Sequence, residues 1–280
     1  MVSTVFAYNG STHGDWVGTY AVRLAAAAPD SALRVVHVEE HGEDAERFAA
    51  KLARLEESAA AAGVALEVRR VAAGSGEVAA VLEEAIPDDP AGIVVTGLRA
   101  RETGRGLLRG TISERLMSSA RHSVLALRVV SPGLLGQVEH LLFALSQNPR
   151  SAARAALFLR RFAPGLRRLS LLTVMEPPRA QTAAEVNTLH ALGREHLRRS
   201  QAELRTVYAP RAFPVDPHVA ISKDWASEIV RQAARVKAQL LLIGATERSL
   251  PSRLVFGNPL ERVLEDAPCD VAIFHRKGAP

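Results

Sequence analysis

The sequence predicts an α/β fold made of two doubly wound, mostly parallel five-stranded sheets within 280 residues. Three observations carry this expectation. Short apolar runs alternate with longer segments at helical period, the pattern of βα units around a parallel sheet. The second half repeats the first: Gly97, Gly110, Glu114, Ala120 and Val124 recur as Gly244, Gly257, Glu261, Ala267 and Val271, each pair 147 residues apart. Each repeat, at about 130–145 residues, is large enough for one hydrophobic core.

In the first repeat the strands are expected near residues 2–8, 33–38, 64–71, 92–97 and 123–129, runs rich in Val, Leu and Ile between turn residues. Helices fill the gaps. One runs from Trp16 to Ala28 after His13-Gly14-Asp15, and a second from Asp44 to Ala62, closed by Gly63. A third runs from Glu77 to Ile86 and stops before Pro87, and a fourth from Thr111 to Ala120, with Thr111 and Glu114 as a capping box. The second repeat gives strands near 139–145, 168–174, 215–221, 239–244 and 270–275. Its helix over 151–163 is amphipathic, with Ala155, Leu157, Phe158 and Phe162 inward and its arginines in water. Early matches are looser, Val5 with Leu142 and Val35 with Leu171, so the second copy carries an insertion between Pro177 and Pro210. The boundary falls near Ser131-Pro132-Gly133, giving domains over residues 1–130 and 137–280. Right-handed crossovers make each a three-layer domain.

Composition removes several classes of function. At 48% hydrophobic and 23% charged residues the chain is neither disordered nor of low complexity. Apolar runs such as Leu240 to Ile243 fall far short of the ~18–20 residues a membrane span needs, so no membrane partner is expected. The start, Met1 to Asn9, lacks a basic, then apolar leader, and a cytoplasmic location follows as the expectation. One cysteine, Cys269, excludes an intrachain disulfide and a four-thiolate centre, and it reads as a small buried residue. A net charge of +5 favours anionic partners in general.

The sequence holds no G-x-x-x-x-G-K-[ST] and no G-x-S-x-G, and Gly104 to Gly110 has the wrong spacing for a dinucleotide fingerprint. His190 and His196 are six apart, about 120° off a common helix face, unlike a metal-binding pair, so no metal ligand is assigned. Arginines from Arg150 to Arg168 form a basic stretch, yet with 5% aromatics and no recognisable reading helix, specific nucleic-acid binding is not expected. No base or nucleophile stands out; catalytic residues are none, and the chain leans away from an enzyme.

The informative spacing lies after the fourth strand. Gly97 ends it and Gly110-Thr111 opens the next helix 13 residues on; Gly244 and Gly257-Asn258 repeat this. A glycine there lets backbone approach a ligand without a Cβ, and a Gly-Thr at a helix start offers N–H groups and a hydroxyl to an anion. Between them Arg99, Arg101, Arg105 and Arg109 face one acid, Glu102, and guanidinium groups suit phosphate oxygens.

This spacing resembles the nucleotide motif of the universal stress protein family: Gly, two residues, Gly, nine residues, then Gly-Ser or Gly-Thr. The chain is similar to a tandem member. It departs from the motif at the second glycine, where Ala100 and Glu247 stand, and a carboxylate at Glu247 would repel a triphosphate. The resemblance implies an adenine nucleotide alpha hydrolase-like sheet of order 3-2-1-4-5. It also implies a first site of Asn9 on the adenosine part, Val38 against the base, and Gly97, Arg99, Gly110, Thr111 and Ile112 around the phosphates. The degenerate second site would be Ser146, Val174, Gly244, Gly257 and Asn258. The implied function is non-catalytic stress-response regulation with degraded nucleotide motifs. Its alternatives are an ATP-binding switch with slow hydrolysis in the first crevice, or a carrier or sensor of a non-nucleotide ligand. ATP, or another adenine nucleotide or small ligand, is then the expected occupant, in the first domain. The two domains are expected to pair within the chain through their last strands, with a homodimer as a further expectation.

Overall fold

The computed structural model describes residues 3–39, 44–74, 77–98, 111–178, 182–208, 213–245 and 259–278. The chain divides into two compact units, Met1–Gln137 with His275–Pro280, and Val138–Phe274. The first contains β1 (Thr4–Ala7), α1 (Thr12–Ala26), β2 (Ala32–Glu39), α2 (Ala45–Ala61) and β3 (Ala65–Ala72). It continues with α3 (Val78–Ala85), β4 (Ile93–Gly97), α4 (Ile112–Ser118) and β5 (Val124–Arg128). The second contains β6 (His140–Leu145), α5 (Ser151–Phe162), β7 (Arg168–Met175), α6 (Ala183–Tyr208) and β8 (Val215–Ile221). It ends with α7 (Trp225–Arg235), β9 (Leu240–Gly244), α8 (Pro259–Asp266) and β10 (Asp270–His275).

Within the first unit the hydrogen-bonded order is β3-β2-β1-β4-β5, and within the second β8-β7-β6-β9-β10. Strand pairs inside each unit are parallel, as in Thr4↔Ile93 and Phe6↔Val95, or Leu141↔Leu240 and Ala144↔Ile243. The strands count as one ten-stranded sheet, which corrects the expectation of two separate five-stranded sheets. Central strands read as continuous apolar runs because both their faces are covered: Phe6, Val95, Leu125, Phe143 and Leu242 are fully buried. Each such side chain contributes about 1.5–3 kcal/mol. β3, at an edge, instead alternates half-buried and exposed residues.

Local chemistry fixes the helix ends. The first helix starts at Thr12 rather than the expected Trp16, because the Ser11 hydroxyl accepts from the Gly14 N–H at 3.0 Å and draws His13-Gly14-Asp15 into its first turn. α2 buries Phe48, Leu52, Leu55 and Ala59 along one stripe and ends before Gly63, whose φ of 68° only glycine adopts readily. The insertion of the second copy becomes helix. α6 has 26 residues where α2 has 17, and opens on a reciprocal box: Thr182 N–H donates to the Glu185 carboxylate at 2.8 Å, and Glu185 N–H to the Thr182 hydroxyl at 3.3 Å. α5 buries Ala155, Phe158 and Phe162 as expected. Leu159 takes the place assigned to Leu157, and Arg161, one turn from Phe158, is buried rather than in water, its Nη1 included. Cys269 is buried. Among the described residues no helix is long and apolar enough to cross a membrane.

Candidate functional site

β1 and β4 are neighbours, and the chain leaves them to opposite sides, so their C-terminal ends form the switch point where ligands enter such sheets. Asn9 follows β1 and is exposed; its Oδ1 accepts from the Ser11 N–H at 3.2 Å and the Ser11 hydroxyl at 2.8 Å. Gly10 between them has φ 68°. At the end of β4 the Gly97 carbonyl accepts from the Ser113 hydroxyl at 3.0 Å, and Ser113 Oγ lies 3.2 Å from Thr96 Oγ1, which ties the strand to the first turn of α4. Thr111 caps α4, its hydroxyl accepting from the Glu114 N–H at 3.1 Å, with Ile112 next to it. Val38 is buried near the end of β2. Asn9, Val38, Gly97, Thr111 and Ile112 thus belong to one end of the first unit's sheet; Arg99 and Gly110 lie outside the described residues.

His13, which belongs to no motif in the sequence, stands at the same end of the sheet. Its Nε2 lies 3.3 Å from the Leu127 carbonyl, and a Cβ built on Gly97 would sit 3.2 Å from its Cδ2 and 3.4 Å from Val17 Cγ2. Trp16, one turn on, meets the His13 ring edge-on at 5.9 Å. Behind them the Tyr8 hydroxyl donates to the Asp15 carboxylate, which also pairs with Lys51. Burial, then the bond and charge of Asp15, push the Tyr8 phenol well above its usual range, so it is a fixed donor. His37 Nδ1 lies 2.9 Å from the Tyr8 carbonyl, and its ring stacks on Phe48 at 3.9 Å.

The second unit is built otherwise. Ser146 follows β6 and is exposed, and its carbonyl lies 3.0 Å from His196 Nε2 of α6. Gln147 donates from Nε2 to the Val174 carbonyl at 3.2 Å, closing over the end of β7. A Cβ on Gly244 would sit 3.0 Å from Cζ of Phe274, a ring that is 3% exposed and lies 5.0 Å from Phe158. Gly257, Asn258 and Glu247 lie outside the described residues, as does Ala100 of the first loop. The available signals were positional: His13 sits one turn after Asn9, and Phe274 is the repeat partner of Leu127.

The polar side chains at this end of the first unit are thus Asn9, Ser11, His13 and Thr111. In the second the corresponding space is filled by the buried Phe274 ring. Among the described residues no group of three or more His, Cys, Asp or Glu could hold a metal ion.

The profile of the universal stress protein family matches residues 3–128 and again 138–275. A universal stress protein from Archaeoglobus fulgidus superposes with a TM-score of 0.63 at 15% identity, covering 98% of this chain and 97% of that one. A putative universal stress protein from Pseudomonas aeruginosa gives 0.63 at 16% identity over 97% and 92%. The cytoplasmic domain of a prokaryotic cation chloride cotransporter gives 0.62 at 14% over 99% and 96%. At such identities the likeness is one of fold. No curated protein matches the chain. The chain belongs to the universal stress protein family and carries its domain twice in tandem.

Proposed function

We propose that this tandem universal stress protein is a non-catalytic regulatory protein in which neither crevice is a conventional nucleotide site. One observation carries the reading: a ring lies where a side chain would start at both strand-ending glycines, His13 at Gly97 and Phe274 at Gly244, and takes up the space that a missing Cβ leaves. Phe274 belongs to a buried aromatic trio with Phe143 and Phe158, and displacing it opens a cavity costing several kcal/mol. An adenine nucleotide does not fit there.

His13 is half-buried, and its contact to the Leu127 carbonyl is at the long end for a hydrogen bond. That difference supports a second reading, confined to the first crevice: with His13 aside, Asn9, Val38, Gly97, Thr111 and Ile112 would hold ATP, with Arg99 and Gly110 completing the site by the family's motif. A non-nucleotide ligand held by the same polar groups would give a carrier or sensor instead.

The test is to purify the protein without added nucleotide, denature it, identify released small molecules by mass spectrometry, and assay ATP turnover. The leading reading expects no stoichiometric nucleotide and no turnover. One adenine nucleotide per chain would overturn it in favour of the second.

A further inference from the structure

We infer that the segment following β10, Arg276 and Lys277, is a proton-sensitive strap on the turn that precedes β4, with His122 as its sensor. These residues belong to the first unit. Arg276 Nη1 donates to the Pro90 carbonyl at 3.2 Å and to the Ser123 hydroxyl at 3.1 Å, and the Lys277 N–H donates to the same hydroxyl at 3.2 Å. The Lys277 ammonium pairs with Asp88. The strap thus spans from Ser123, at the start of β5, to residues 88–90.

His122 stands next to Ser123 and is 4% exposed. Its ring bonds the Glu83 carbonyl of α3, and its Nε2 is buried without a partner. The ring lines a recess with Val5, Pro87, Asp89, Gly92 and Ile93, at the N-terminal ends of β1 and β4, opposite the crevice.

The charged groups around the ring are Arg121 beside it, Asp88 and Asp89 on the turn, and Arg276 and Lys277 on the strap. Asp88 is held by Lys277, and Asp89 accepts from the Ala91 N–H at 2.9 Å. Burial foremost, then the charges of Arg121 and Lys277, hold the imidazole below its usual range, against the Glu83 bond and Asp88. A proton on Nε2 therefore adds a buried cation where the charge of Lys277 already opposes one, and departure of Lys277 relieves it. The neutral ring keeps the strap docked and the charged ring releases it. By linkage, docking lowers the proton affinity of His122 by the factor by which protonation weakens docking.

The test follows the Lys277 backbone amide and the His122 ring together by NMR on the full chain, from about pH 8 to about pH 5. The expected result is a shared midpoint, an upward move of the His122 midpoint in Lys277→Ala, and loss of the Lys277 transition in His122→Gln. The last variant also separates any contribution of His275, two residues away. Asp88, held low by Lys277, titrates below this range. A Lys277 amide that stays flat through the His122 transition, or a His122 midpoint unmoved in Lys277→Ala, would overturn the proposal. Lys277→Ala removes only a part-exposed side chain, so the test survives if His122→Gln does not fold.

Discussion

The two units share a strand order and part company at one atom's distance from the glycine that ends their fourth strand. At Gly97 the neighbour is a half-buried imidazole from the start of α1; at Gly244 it is a phenyl ring 3% exposed, from β10. A strand glycine thus does not define a ligand site. What stands against it decides whether the space is available, and here one neighbour is half-buried while the other belongs to the core.

The sharpest way to break this contrast is to remove each ring. Phe274→Ala should cost about 3–5 kcal/mol of stability, and His13→Ala no more than about 1 kcal/mol, in urea unfolding. Equal losses would mean that both rings are structural. Next come the glycines themselves. Gly244→Ala forces a Cβ to 3.0 Å from a ring that cannot retreat and should cost about 1–3 kcal/mol. Gly97→Ala should cost under about 1 kcal/mol, and its effect should vanish in a His13→Ala background, a coupling that a double-mutant cycle reads directly.

α1 has a side-chain cap from Ser11, whereas Arg150 precedes α5 without one. Ser11→Ala should therefore cost about 1 kcal/mol and Arg150→Ala close to nothing in thermal unfolding. The pH dependence differs only in slope. Burial first holds His140 and His218 of the second unit, and His122 of the first, below the unfolded value of 6.5. Above that pH both folded and unfolded forms are neutral and stability is full. As pH falls below it the unfolded chain takes protons first, so stability declines until the folded pKa values are passed. His218→Gln should flatten the decline between about pH 6.5 and pH 5 in denaturant midpoints. A slope unchanged in that variant would contradict the assignment.

Much of the fold was legible because its central strands are buried on both faces and its helices are amphipathic. The ranges expected for β2, β8 and β10 match within a residue, and the insertion was placed in the segment that becomes α6. The start of α1 was not legible, since Ser11 caps on a Gly14 N–H inside a Gly-rich stretch that reads as a turn. Arg161 shows a different limit: an arginine on the boundary of an apolar stripe is buried down to its guanidinium, which periodicity alone cannot separate from a solvated face. At the site, the motif pointed to Gly97 and Gly244. The rings that oppose them come from elsewhere in the chain, and only the fold brings them there.

The most direct measurement is a calorimetric ATP titration of the native chain and of His13→Ala, with Gly244→Ala alongside. The expected result is no saturable binding by the native chain, at most one site per chain once His13 is removed, and no effect of Gly244→Ala on either. Two sites per chain, or saturable binding indifferent to His13, would contradict it.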